Sequence, residues 1–190
     1  MLAVWLGIIA GIMHVAAFLL YNKQMLAGQS KPNTTTWTTW VFLSSMNCIT
    51  YLDMSKDVVK TLLPIFSALA CIGTFVFSLL RGKLSKLNFW EYIALATGLF
   101  STFMWYLYHN STIGNLLLQI PIIISFLPTY SGIWKADTEK SLPWFVWSGA
   151  YILVIITIIL RWRGQYQDFA YPVNCLILHG GVGILSLRKK

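Results

Sequence analysis

Lys31-Pro32-Asn33-Thr34-Thr35-Thr36-Trp37-Thr38-Thr39-Trp40 is a polar, proline-containing segment that runs into an apolar stretch through two tryptophans three residues apart. The chain repeats the device once, as Thr138-Glu139-Lys140-Ser141-Leu142-Pro143-Trp144-Phe145-Val146-Trp147, with Trp37/Trp144 and Trp40/Trp147 both at an offset of 107. A polar loop feeding Thr or Ser and paired Trp into an apolar run reads as the entry of a helix from a membrane interface. Two such entries at one offset read as an internal duplication.

Outward from these entries, apolar runs near the ~20 residues that a helix needs to cross a bilayer fall at 2–21, 37–54, 58–80, 89–109, 112–134, 142–161 and 166–187. A chain of 190 residues that is 57% hydrophobic and 11% charged carries more apolar surface than a soluble domain of its size buries. We read it as an all-α membrane protein with seven transmembrane helices. A count of six stays open, because the second run is short and Pro64 interrupts the third. The first run has no Lys or Arg before it and Lys23 after it, the polarity of an uncleaved span with its N-terminus outside. On that topology ten basic residues, from Lys23 to Lys190, share one side, and Lys56, Lys60, Arg161 and Arg163 share the other. The bias predicts a cell (inner or plasma) membrane protein with a cytoplasmic C-terminus. The net charge of +8 is then a topology signal, and no nucleic-acid partner is expected. Cys48, Cys71 and Cys175, an odd number inside spans, are no disulfide framework. All nine tryptophans stand close to span ends and are read as interfacial belts.

The duplication has a second arm. Pro64/Pro172, Gly73/Gly181, Ser78/Ser186 and Leu79/Leu187 recur at an offset of 108, and the paired prolines predict paired bends. The run at 89–109 has no counterpart and reads as a linker. The expected organisation is a first three-helix repeat at 1–80, a linker helix at 81–111 and a second repeat at 112–190. An odd linking span lets two parallel three-helix bundles share one orientation, a 3+1+3 layout used by transporters. In the fifth span Pro121 and Pro128, with Gln119 and Ser125, mark a partly polar, interrupted helix of the kind that lines solute paths.

His14, Asn47, Gln119, Tyr151 and Asn174 lie near the middle of five different spans. Each polar group at that depth must find a partner in hydrocarbon, so their coincidence predicts a substrate-binding site. For His14 and Asn47 a packing or interhelical hydrogen-bonding role stays open beside the solute-facing one. Gly7 and Gly11 have the spacing of close helix packing. Asp53, Lys56, Asp57 and Lys60 read as a solvated hairpin. No Asp, Glu, Lys or Arg falls mid-span, which argues against carboxylate-driven proton coupling and for a facilitative carrier. Cys175, His179 and His14 fall short of a metal ligand set, so no metal or cofactor is expected. No hydrolase or metalloprotease motif is present, and no enzyme is expected.

From Ser125-Phe126-Leu127-Pro128-Thr129-Tyr130 through Trp134-Lys135 and Thr138-Glu139-Lys140-Ser141-Leu142 to Trp147, the sequence resembles the repeat of the PQ-loop and SWEET transporter superfamily, with Thr129 where the family has Gln. The first copy carries Leu20-Tyr21-Asn22 in the corresponding place. The resemblance implies two three-helix bundles around a central path for a small polar solute, moved by alternating access. It assigns Pro64, Pro128, Pro172, Trp37, Trp40, Trp144 and Trp147 to the repeat motif and gates. It places Asn174 at one family asparagine, whereas Phe66 or Ser67 stands at the repeat partner. An asymmetric, aromatic-rich pocket then suits a sugar or a nucleoside- or vitamin-like ring, as in fold-related bacterial nicotinamide riboside-type transporters. Sorting receptors similar in fold supply the alternative, a membrane-embedded binding protein without transport. The lipid bilayer is the expected surrounding partner, and an oligomer is compatible with all of this.

Overall fold

The structure, a computed structural model, describes residues 1–29, 34–80, 86–136 and 139–188. Lys31, Arg81, Lys83, Lys189 and Lys190 of the basic set, and Lys31–Asn33 and Thr138 of the repeated entry, lie outside the described residues. The described chain is helical: α1 Leu2–Leu26, α2 Thr34–Ser55, α3 Val58–Leu80, α4 Phe89–Tyr108, α5 Ser111–Ala136, α6 Ser141–Leu160, a 3-10 turn at Tyr166–Phe169, and α7 Ala170–Leu185. Among the described residues there is no strand. α1, α3, α5, α6 and the stretch Tyr166–Leu185 are long and apolar enough to cross a membrane. α2 and α4 have similar lengths, 22 and 20 residues. Thr and Ser dilute α2, and Trp, Tyr and Glu91 dilute α4. The chain is an all-α, multi-pass membrane protein of seven helices.

Pro64 lies inside an unbroken α3, so the proline does not interrupt the third run. Pro172 is the third residue of α7, in a first turn that has no intrahelical N–H bond to lose. The two prolines therefore act differently, and the expectation of paired bends fails at Pro172.

The helix neighbours form a ring. α1 lies against α3 and α6, α2 against α3 and α5, α5 against α7, and α6 against α7. The order round the ring is α1–α3–α2–α5–α7–α6. Exchanging α1 with α5, α2 with α6 and α3 with α7 maps these neighbours onto themselves, and α4, packed on α5 and α2, is left over. Contacts at the ends fix directions. Lys60 at the start of α3 meets Asp168 just before α7, and Arg161 after α6 meets Asp57 between α2 and α3. Tyr21 late in α1 meets Glu139 just before α6. Odd-numbered helices therefore run one way and even-numbered helices the other.

Small residues set the close approaches. A Cβ on Gly7 would sit 3.0 Å from the Val59 carbonyl oxygen, and one on Gly11 would strike the Phe66 ring, so these two glycines seat α1 on α3. Gly98 seats α4 on α2, since a Cβ there would lie 2.8 Å from Leu43. α4 starts sharply at a capping box: the Asn88 side chain accepts from the Glu91 N–H at 3.1 Å, and Glu91 accepts from the Asn88 N–H at 2.7 Å.

Candidate functional site

At mid-depth all six helices of the ring line a cavity of about 60 Å³. Half of the residues in its wall carry rings. Phe18 of α1 packs on Trp147 of α6 at 5.0 Å between centroids, and Phe126 of α5 packs on Trp40 of α2 at 5.2 Å. Phe18 and Phe126 stand 108 residues apart, and each meets a tryptophan across a seam, Phe18 edge-on at 79° and Phe126 stacked at 25°. His14 meets Tyr151 at 5.5 Å, and His179 meets Tyr151 at 5.1 Å and Phe126 at 5.0 Å. Tyr151 and Tyr171 share a hydroxyl–hydroxyl bond of 3.1 Å. Ser44, Asn47, Ser67, Ser125, Cys71 and Cys175 complete the polar part of the wall, and both cysteines are free thiols.

Toward the end bearing Met1, buried polar contacts join the halves. Lys60 Nζ donates to Asp168 Oδ2 at 2.6 Å with neither side chain exposed, and the Tyr51 hydroxyl donates to the Asp168 carbonyl at 2.8 Å. Lys60 and Asp168 are separated by 108, so they occupy equivalent places in the two copies. Arg161 Nε donates to Asp57 Oδ2 at 2.7 Å. Burial alone would push the Asp57 carboxyl up, but the hydrogen bond and charge of Arg161, with the Val59 and Lys60 backbone N–H groups, outweigh it and hold Asp57 below the usual carboxylate range. The solvated hairpin expected from sequence is thus half wrong. Lys56 and Asp53 pair at the surface, whereas Asp57 and Lys60 are buried in the closure of this end. Toward the opposite end the closure is aromatic: Tyr21 packs on Trp37 and Trp144, and its hydroxyl donates to Glu139 at 3.2 Å.

Of the five residues expected to bind solute, His14, Asn47 and Tyr151 line the cavity. Gln119 and Asn174 do not. They belong to an amide chain across three helices, in which Asn115 Nδ2 donates to Asn47 Oδ1 at 3.1 Å, Gln119 Nε2 to the Asn115 carbonyl at 2.8 Å, and Asn174 Nδ2 to Gln119 Oε1 at 3.2 Å. This chain ties α2 of one half to α5 and α7 of the other. Trp40 and Trp147 line the cavity, while Trp37 and Trp144 lie behind them in the same aromatic cluster. Pro64, Pro128 and Pro172 are helix residues outside the cavity wall. Trp5, Trp90, Trp134 and Trp162 are exposed, whereas the belt reading fails for Trp37, Trp144 and Trp147, each at most 2% exposed. Distance from a helix end gives depth, but which way the ring faces depends on rotation about the helix axis.

Sequence reasoning missed Phe18, Phe126, Asn115 and the Lys60–Asp168 pair. All but Asn115 were within reach of the 108 offset: Phe18 and Phe126 as an identical pair, Lys60 and Asp168 as a complementary one. Compared with protein-family models, curated proteins and solved structures, the chain matches none.

Proposed function

We propose that this chain is a transporter that carries a small polar solute through its centre by alternating access, without ion coupling and without a cofactor. The observation that carries the reading is the cavity: it lies between two sets of helices related by exchange, with a separate group of buried contacts on either side of it. Binding proteins need one access route to a site. A carrier needs two closures that can be released in turn. The ionic closure near Met1 and the aromatic closure near Tyr21 meet that requirement, and the resemblance of the repeat to the PQ-loop and SWEET superfamily agrees with it. Among the described residues the cavity wall holds no carboxylate to carry a proton through, which favours facilitative transport. The basic-residue bias favours a cell membrane with Met1 outside and the C-terminus in the cytoplasm.

The native thiol at Cys175 tests the two-sided access. In a Cys48→Ser/Cys71→Ser background, oriented vesicles are treated from either face with a small impermeant thiosulfonate. Modification of Cys175 from both faces is expected. Modification from one face alone would replace the carrier with a fixed binding protein of the same fold. Counterflow of sugars, nucleosides and small heterocycles in liposomes then finds the solute.

A further inference from the structure

We propose that the outward-facing groove between α1 and α3 is a lipid site, which takes one acyl chain of an anionic phospholipid along its length and the phosphate of that lipid at Lys23. The groove is a second site, on the lipid-facing side of the helices that line the central cavity.

The groove has a volume of about 490 Å³ and runs along α1 from Val15 to Leu26, with Ala70, Gly73 and Thr74 of α3 opposite. Its origin is legible in the sequence. Where α5 packs on α7, Tyr130 fills the seam: its hydroxyl donates to the Leu178 carbonyl at 2.8 Å and would be struck by a Cβ on Gly181. The residues 108 places before Tyr130, Leu178 and Gly181 are Asn22, Ala70 and Gly73, and all three line the groove. Asn22 is shorter than a tyrosine and donates to Thr74 Oγ1 at 3.2 Å, while a Cβ on Gly73 would have nothing within 4 Å. Room that a ring closes at the α5–α7 seam stays open at the α1–α3 seam.

Surface, length and charge choose the occupant. Leu19 and Leu26 at the rim are 65% and 59% exposed, so the groove opens where a membrane helix meets acyl chains. From Val15 to Lys23 the helix rises about 12 Å, close to the ~15 Å that one leaflet contributes to the hydrocarbon core. Lys23 stands in the last turn of α1, at interface level, and is the one charged residue in the groove; no Asp or Glu lines it among the described residues. A lysine there lays its stem on apolar surface and holds its ammonium at the depth of the lipid phosphates. The basic-residue bias favours the cytoplasmic leaflet for this end, the leaflet that carries anionic headgroups. Phe18 lines both the groove and the central cavity, so the bound chain backs the ring that meets Trp147.

Full-length protein in detergent micelles is titrated with dioleoylphosphatidylglycerol or dioleoylphosphatidylcholine, and native mass spectrometry counts the lipids retained on each chain. One tightly held phosphatidylglycerol is expected, preferred over phosphatidylcholine by about fivefold, the scale of one lysine at a membrane surface. Lys23→Gln should abolish the preference and leave both lipids at the phosphatidylcholine affinity. Asn22→Tyr places at this seam the ring that closes the other, and should remove the tight lipid of either class. Gly73→Leu fills the same room from α3 and gives the test again if Asn22→Tyr folds poorly. Equal affinity for the two lipids, or a preference that survives Lys23→Gln, overturns the proposal. A tight lipid that persists in both filled variants overturns it by a separate route, as does a dimer of the chain, lost in those variants, in place of a retained lipid.

Discussion

Replacing Lys60 with Met leaves the Asp168 carboxylate without the ammonium that now sits 2.6 Å from it, in a place where neither side chain reaches solvent. Asp168 Oδ1 already has no hydrogen-bond partner among the described residues, so the remaining carboxylate would rely on little but the surrounding backbone. Removing one member of a buried ion pair costs about 3–5 kcal/mol. Removing both charges in Lys60→Met/Asp168→Leu should recover most of this, to within about 1 kcal/mol of the parent, because well-packed apolar replacements of such pairs are near neutral. A double-mutant cycle by denaturant titration in mixed micelles, followed by far-UV circular dichroism, reads both quantities. The reasoning fails if Lys60→Met unfolds at the parent's midpoint, or if the double variant loses the sum of the two single losses.

Gly11→Ala should cost about 1–3 kcal/mol, because its Cβ meets the Phe66 ring, whereas Gly73→Ala, with nothing within 4 Å, should be neutral or gain up to about 1 kcal/mol; thermal melts of the two variants compare them directly. Asp57 is held below its ordinary value, so its contribution is full above the unfolded carboxylate pKa of ~3.9 and is lost as pH falls through the lower folded value. Arg161→Met should therefore lower stability at pH 7 and flatten the acid limb of a stability–pH curve, and an unchanged acid limb would refute the pairing. Gly98→Ile should loosen α4 from α2 and lower thermal stability while the folded fraction keeps its solute affinity. Single cysteines at Gln29 and Asn110, both exposed, should label from opposite faces of intact cells, and labelling of both from outside would reject the proposed orientation.

The helices were legible because hydropathy is a one-dimensional signal. Gly7 and Gly11 announced a tight seam by spacing alone. Depth in the membrane could be read as well, which is why His14, Asn47 and Tyr151 line the cavity they were expected to form. Rotation about the helix axis could not. Gln119 and Asn174 lie at similar depth yet bond to each other behind the wall, and Trp144 turns inward where a belt residue would turn out. The hydroxyl- and amide-rich face of α2 gave the same ambiguity: Asn47 serves both readings, as a residue of the cavity wall whose Oδ1 is bonded to Asn115 of α5.

The Lys60–Asp168 pair bears on descent. A newly duplicated chain has the same side chain at both equivalent places, and so does a symmetric dimer of a single unit; either would press two ammonium groups or two carboxylates together in a buried position. If the two halves descend from one unit, opposite charges there mark a place where the copies have diverged into complementary partners. Two copies of the first half, assembled in place of the present pair, would set lysine against lysine. The division of labour is written into one contact, and it commits the halves to remaining unlike.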